Sequence, residues 1–265
     1  MWSLYWRLIG ARIRSQMQYK VSFLLELLGF TLTTGMEFAI IAILFARFQS
    51  VGGWRLLEVG LLYGLTSTAF GLAEMIGRGF DAPFEIMMQR GTFDTLLTRP
   101  LGTFFQVLAS EFQLRRLGRT FQGLAIVGYA LSRLPIDWTA DRLLVLPLAV
   151  VSGVVIYMGL MVIGATICFW TIKTPEVINI FTFGGDFLVS YPLSIYNRWV
   201  RRVFLFVVPV AFVNYPAALL LLDRRDPYGL PAWLAWDAPL VAGLFFALAR
   251  GFWQIGVAKY TSAGS

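Results

Sequence analysis

An all-α integral membrane protein of six transmembrane helices, both ends cytosolic, is the fold class the chain predicts, and three observations predict it. Of 265 residues, 58% are hydrophobic and only 14% charged. Soluble domains hold roughly 45–50% apolar and about 25% charged residues, so this chain cannot cover a water-facing surface without large apolar patches. Second, six apolar stretches approach the roughly 20 residues needed to cross about 30 Å of hydrocarbon. Third, positive charge falls repeatedly on one side of those stretches.

The spans are expected at 22–46, 56–76, 120–136, 143–170, 203–222 and 238–258, all in one transmembrane domain, 1–265. The third is the shortest in clean apolar length, Phe121 to Leu131, and the fourth is long enough to tilt. Between them the basic residues alternate. Arg7, Arg12, Arg14 and Lys20 precede the first span, and Arg78, Arg90, Arg99, Arg115, Arg116 and Arg119 follow the second. Lys173, Arg198, Arg201 and Arg202 follow the fourth, and Arg250 and Lys259 close the chain. Those segments collect 16 basic residues and the alternate ones six. The positive-inside rule then puts both termini in the cytosol. The net charge of +7 therefore reads as topology, not as a nucleic-acid stripe. The first apolar run is too long for a signal-peptide core and ends in no small-residue cleavage pattern.

Residues 77–119 form the main cytosolic platform. Phe84, Met87 and Met88 share one face of a short helix, with Glu85, Gln89 and Arg90 elsewhere. Gly91 breaks it, and Phe93, Leu96 and Leu97 make a second apolar set. Pro100 restarts the chain. Thr103 with Gln106 is a capping-box pattern, and a further helix is expected from Phe104 into Arg116. Two readings fit this amphipathic segment: helices resting on the headgroups, or a docking platform for a soluble partner. Residues 171–202, interrupted by Pro175, Gly184, Gly185 and Pro192, read as an interfacial helix pair or an extension of the fifth span. A seventh crossing there is the alternative, and it would place Arg201 and Arg202 outside. Trp233 and Trp236 suit an interface belt around a surface helix between Pro231 and Pro239.

Glu26, Glu37, Glu58 and Glu74 fall within or at the ends of the first two spans. A carboxylate in hydrocarbon costs about 2.5–3.5 kcal/mol even on the lenient insertion scale, so each should face protein or water. Glu26 and Glu58 read as end residues or interhelical hydrogen-bonding groups. For Glu37 a place on a substrate path is the equal alternative. Glu74 has Arg78 four residues on, the spacing of a helical salt bridge. Gly60 with Gly64, and Gly153, Gly159 and Gly164, permit close helix contact. Enzyme chemistry is not encoded. There is no histidine and one cysteine, Cys168, inside an apolar run, so neither a Ser-His-Asp triad nor a zinc cluster can form. No GxxxxGK[ST] loop provides for a nucleotide.

The run Arg90-Gly91-Thr92-Phe93-Asp94-Thr95-Leu96-Leu97-Thr98-Arg99-Pro100-Leu101, the stretch Tyr191-Pro192-Leu193-Ser194-Ile195-Tyr196, the pair Pro209 and Pro216, and the closing Tyr260-Thr261-Ser262-Ala263-Gly264-Ser265 give the chain its resemblance. Over essentially its whole length it resembles the ABC-2 type transporter permeases, in particular the bacterial six-helix, daunorubicin-type branch. The resemblance implies a permease of the bacterial inner membrane, without an ATPase of its own and leaning toward export. It implies a coupling helix within Gly79 to Pro100, docking a cytosolic ATP-binding-cassette subunit through Phe84, Met87, Met88, Arg90, Phe93, Asp94 and Leu97. ATP and Mg would bind that partner, and this chain would hold no cofactor. A second permease chain, identical or related, would complete the dimer, and external re-entrant helices would fall at about Pro227 to Asp237. The competing readings are a non-transporting scaffold or sensor, and a secondary transporter driven by protons through Glu37.

Overall fold

The computed structural model describes residues 2–172 and 176–261. Lys173 and Pro175, and Ser262 to Ser265 of the closing motif, lie outside the described residues. Every regular element is helical: α1 (Trp2–Gln18), α2 (Lys20–Arg47), α3 (Leu56–Gly77), α4 (Ala82–Gln89), α5 (Asp94–Leu97), α6 (Thr103–Ser110), α7 (Leu117–Arg133) and α8 (Ala140–Thr171). After these come α9 (Glu176–Asn179), which passes through a π turn (Ile180–Gly184) into α10 (Gly185–Val189), then α11 (Arg198–Arg202), α12 (Tyr215–Leu221) and α13 (Ala238–Lys259). Among the described residues four helices are long and apolar enough to cross a membrane. These are Lys20–Arg47, Leu56–Gln89, Ala140–Thr171 and Ala238–Lys259, with a fifth if the bent pair Arg198–Val207 and Val210–Leu221 is one span. The third expected span is α7, at 17 residues about 25 Å long.

The bundle is built on α3, most of which is buried, with α7 and α8 against it. Glycine sets the approach to α7. A Cβ on Gly123 would stand 2.8 Å from the Gly64 carbonyl oxygen, and one on Gly64 would stand 2.9 Å from that of Gly123. Gly71 is likewise closed by Thr120, whereas Gly60 makes only ordinary contact. On the other flank Gly153 fits against Ala69 and Val213, and Gly159 against Phe245 of α13. These are the small-residue contacts that substitute for a hydrophobic driving force inside lipid. The outer helices turn the opposite face away from the bundle. Leu24, Leu25, Leu28, Leu32, Met36, Ile40 and Ile43 of α2 are all exposed, as are Leu240, Leu244 and Leu248 of α13. So much contiguous apolar surface is compatible with hydrocarbon and not with water.

At the platform end of the bundle, α1 lies against α6, with Tyr5 and Ile9 packed on Ala109, Phe105 and Phe112. Gln16 Nε2 donates to the Phe112 carbonyl at 2.5 Å. The helix expected from Phe104 into Arg116 stops at Ser110 and resumes as a single 3-10 turn at Leu114–Arg116. The capping box does not form, because Thr103 is already helical and Gly102 is the cap. Gln106 turns inward instead, donating to the Leu96 and Leu101 carbonyls at 2.8 Å each. It thereby pins the Pro100 turn.

At the far end, the loop between α2 and α3 meets chain from much later. Trp54 Nε1 donates to Ser194 Oγ at 3.2 Å, so the run from α9 through α10 to Ser194 travels from the platform end to the Trp54 end. Gly184 and Gly185 do not interrupt it; Gly185 admits Phe204 close against the helix. The stretch expected as a fifth span, 203–222, is two helical segments bent by 73°. Pro209 has no N–H to continue the helix and bars helical geometry at Val208, which is extended. Both outer ends of the pair lie at the Trp54 end. Arg201 meets Asp226 at 2.7 Å, Arg224 meets Glu58 at 3.2 Å and the Gly53 carbonyl at 2.7 Å, and Asp223 meets Arg142 at 2.5 Å. The bend itself is deep. Asn214, fully buried, donates through Nδ2 to the Leu62 carbonyl at 3.1 Å, Thr66 Oγ1 at 2.7 Å and the Val189 carbonyl at 2.5 Å. Between Pro227 and Asp237, where re-entrant helices are expected, the structure has turns and one short 3-10 turn, Ala232–Ala235.

Candidate functional site

Three groups of residues could carry function: the platform, a set of charges inside the bundle, and the apposed loops at the far end. In the platform the alternation of faces is set by helix period. Phe84 and Met88 of α4 are buried, and so is Phe93, whereas Ile86, Gln89, Arg90, Leu97 and Thr98 are exposed. Met87 and Asp94 are half-buried. Gly91, at φ +65, is the left-handed residue that lets the chain reverse between the two short helices. The structure therefore divides the expected docking set. Arg90 and Leu97 stand outward, Phe84 and Phe93 enter an aromatic cluster, and Met88 is buried.

That cluster joins the platform to the ends of the long helices. Trp253 of α13 has Phe80, Phe84, Phe93, Phe104 and Phe169 around it, with ring centroids 5.2–6.5 Å away. Phe93 also meets Phe169 of α8 at 5.1 Å and Tyr260 at 5.0 Å, both edge-on. Most pairs are edge-to-face or tilted, the arrangement the ring quadrupole favours. These rings pack the platform against the last turns of α8 and α13. Sequence spacing shows that Phe84 and Met88 share a face but not which face. Trp253 and Phe169, 160 or more positions away in some pairs, supply that answer.

Most of the charges inside the bundle are paired. Glu74 meets Arg116 at 2.9 Å and Arg78 at 3.5 Å, and Arg78 also pairs with Asp81. Arg119 meets Asp186 of α10 at 2.5 Å, with its guanidinium 4.5 Å from the Phe70 ring centre. A buried ion pair of this kind is held by good geometry against a large desolvation cost. Glu37 lines a cavity of about 210 Å³ with Tyr63, Arg119, Asp186 and Ser190. A second cavity, of about 350 Å³, lies toward the platform among Glu74, Arg78, Asp81, Glu85 and Arg116. Arg119 and Phe183 line both. Glu26 instead pairs with Arg115 at 2.9 Å, partly exposed. Glu58 caps α3, accepting from the Arg55 backbone N–H at 2.7 Å. Asp186 was not among the expected site residues, since nothing in the sequence places 176–189 beside α3 and α7. Among the described residues no group of three His, Cys, Asp or Glu side chains could hold a metal ion.

A helical bundle that exposes apolar side chains around its girth and carries an amphipathic platform at one end is a multi-pass integral membrane protein. The family model for "ABC-2 family transporter protein" matches residues 31–264, and the chain belongs to that family. It is thus a transmembrane, non-catalytic component of the ABC transporter kind. No curated protein and no solved structure matches it.

Proposed function

We propose that this chain is the permease subunit of an ATP-driven exporter of the bacterial inner membrane, working with a separate cytosolic ATPase pair and a second permease chain. The observation that carries the reading is the aromatic cluster under the platform. Arg90 and Leu97 offer a face for a soluble partner, and Phe84 and Phe93 transmit its movement to Phe169 and Trp253. Family membership supports the ATPase partner, because ABC-2 permeases generally function with one. ATP and Mg would be bound there.

The contacts support the following crossing order. α2, α3, α7 and α8 cross in turn, 176–195 is the fifth crossing, 198–222 dips in from the outer side and returns, and α13 is the sixth. Both termini then share the cytosolic side with the platform. The paired cavities joined at Arg119 and Phe183 would admit the polar part of an amphipathic substrate from the cytosolic end, with Glu37 at the inner limit of that path.

The test is association. With Arg90→Glu and Leu97→Asp combined, a co-expressed ATPase should no longer co-purify, while the permease still elutes as a folded species. Retained ATPase in that variant would refute the docking face. Phe93→Asp does not serve, because a charge at a fully buried site unfolds the cluster whether or not it docks a partner.

A further inference from the structure

A further cavity lies at the opposite end of the molecule from the platform. It measures about 590 Å³ and is lined by Arg198, Arg201, Arg202, Leu205, Phe206, Tyr228, Leu230 and neighbours. Arg198, Arg201 and Arg202 are spaced i, i+3, i+4, so one helical face presents all three. Asn197 starts that helix, its Oδ1 accepting from the Val200 N–H at 2.9 Å.

The charges in this cavity are unbalanced. Asp226 is the one carboxylate paired there, and its acceptors are occupied. It receives Arg201 Nη2 at 2.7 Å, the Tyr215 hydroxyl at 2.6 Å, and the Tyr228 and Leu230 N–H groups at 3.0 and 3.1 Å. Arg201 is held beneath, its side chain 6% exposed and its guanidinium 4.3 Å from the Tyr228 ring centre. Its Nη1 is buried without an acceptor. A buried charged donor left unpaired is costly. Arg198 and Arg202 are exposed and, among the described residues, have no carboxylate within ion-pair distance. Arginine is disfavoured on the outer side of a membrane protein, yet this end holds three on one face.

The rest of the cavity wall is largely apolar. Leu205, Leu230 and Leu234 line it, and Phe206 is 78% exposed at its mouth. Trp199, Trp233 and Trp236 are exposed around it, the residues of a headgroup-level belt. We propose that this cavity binds the phosphate group of an anionic amphiphile. Arg198, Arg202 and the free edge of Arg201 would hold the phosphate, and the acyl chain would lie over Leu205, Phe206 and Leu234. Guanidinium forks match phosphate oxygens in pairs, and the volume is that of a small-molecule site. Only the outward sidedness rests on the function proposed above; the binding itself does not.

The experiment uses the full chain in neutral detergent, without an ATPase. Phosphatidylglycerol should raise the thermal unfolding midpoint at concentrations where phosphatidylcholine does not. Native mass spectrometry in an equal mixture should retain phosphatidylglycerol preferentially. Arg198→Gln with Arg202→Gln should weaken the phosphatidylglycerol response about tenfold or more. Arg198→Lys with Arg202→Lys, which keeps charge and loses the fork, should fall between. Equal response to the two lipids, or a response unchanged in the Gln pair, would overturn the proposal. Inorganic phosphate binding as tightly as the lipid would assign the site to a soluble phosphate and overturn its amphiphile half. Failure of ATPase docking would leave all of these results standing.

Discussion

Arg119 and Asp186 show what a single buried pair decides. Each side chain is only 10% exposed, and the pair fastens α10 to α7. Removing one partner strands the other charge, so Arg119→Ala should cost about 3–5 kcal/mol, read as a lowered midpoint in thermal unfolding. Replacing both, as Arg119→Met with Asp186→Leu, should recover most of that loss, since the pair's own desolvation is then also removed. If the double variant were as unstable as the single, the pair would be contributing more than mutual neutralisation. Glu37 is a different case. It faces the same pair across a cavity, and a proton-driven mechanism would need it to titrate. Transport should depend on ATP and ignore a proton gradient in the wild type and in Glu37→Gln alike; a gradient dependence in the wild type that Glu37→Gln abolishes would favour the secondary-transporter reading. Asp226 lies in the loops at the far end from the platform. Burial would raise its carboxyl, but hydrogen bonds from Arg201, Tyr215 and the Leu230 backbone outweigh that and hold it below the ordinary carboxylate range. A depressed carboxyl stabilises the fold above its unfolded value and loses that contribution as pH falls through the folded one. The far-end loops should therefore loosen below about pH 4, and Asp226→Asn should show the same loosening at neutral pH, both measured by hydrogen exchange of Tyr228 and Leu230.

At the scale of elements, glycine and proline carry most of what distinguishes this bundle from a generic one. The crossing of α3 on α7 depends on Gly64 and Gly123, whose missing Cβ atoms let backbone meet backbone. Gly123→Ala would drive a Cβ to 2.8 Å from both the Gly64 oxygen and the Thr68 nitrogen. Neither can swing aside as a side-chain tip can, so a loss of about 1–3 kcal/mol is expected, visible as a lowered thermal midpoint. Gly60→Ala, with nothing nearer than 3.7 Å, should be close to neutral and serves as the control. The long apolar runs, the platform and the Glu74–Arg78 pair were legible because each is a local pattern of period or spacing. The 73° bend inside the fifth expected span was not legible, for a physical reason. Hydropathy counts apolar residues and does not distinguish a crossing from a hairpin that enters and returns. Pro209, mid-run, was the available signal. Conversely Gly184, Gly185 and Pro192 read as breakers, yet both glycines lie inside a helical run, and at Gly185 the missing Cβ makes room for Phe204. The inward turn of Phe93 was not legible at all, since its partners Phe169 and Trp253 are distant in sequence.

For the whole molecule, the two accounts of 171–222 make opposite statements about one segment while agreeing on everything before and after it. With the fifth span at 203–222, the chain around Trp199 stays on the platform side. With 176–195 as the crossing, Trp199 lies on the side of Trp54 and Arg225. The parity of crossings is the same either way, so both place the two termini together, and labelling the tail cannot separate them. What changes is the charge bias, because Arg198, Arg201 and Arg202 move to the side that the positive-inside rule leaves poor in arginine. That cost is bearable if the arginines are held by local bonds, as Arg201 is by Asp226, and used by a ligand. Single cysteines at Thr98, Trp199 and Arg225, each exposed, decide the matter in intact cells with a membrane-impermeant maleimide. The native Cys168 is fully buried and should remain silent. Cysteines at Trp199 and Arg225 should label from outside and the one at Thr98 only after the membrane is opened. Labelling of Trp199→Cys together with Thr98→Cys would return the fifth crossing to 203–222 and remove the re-entrant hairpin from the outer face.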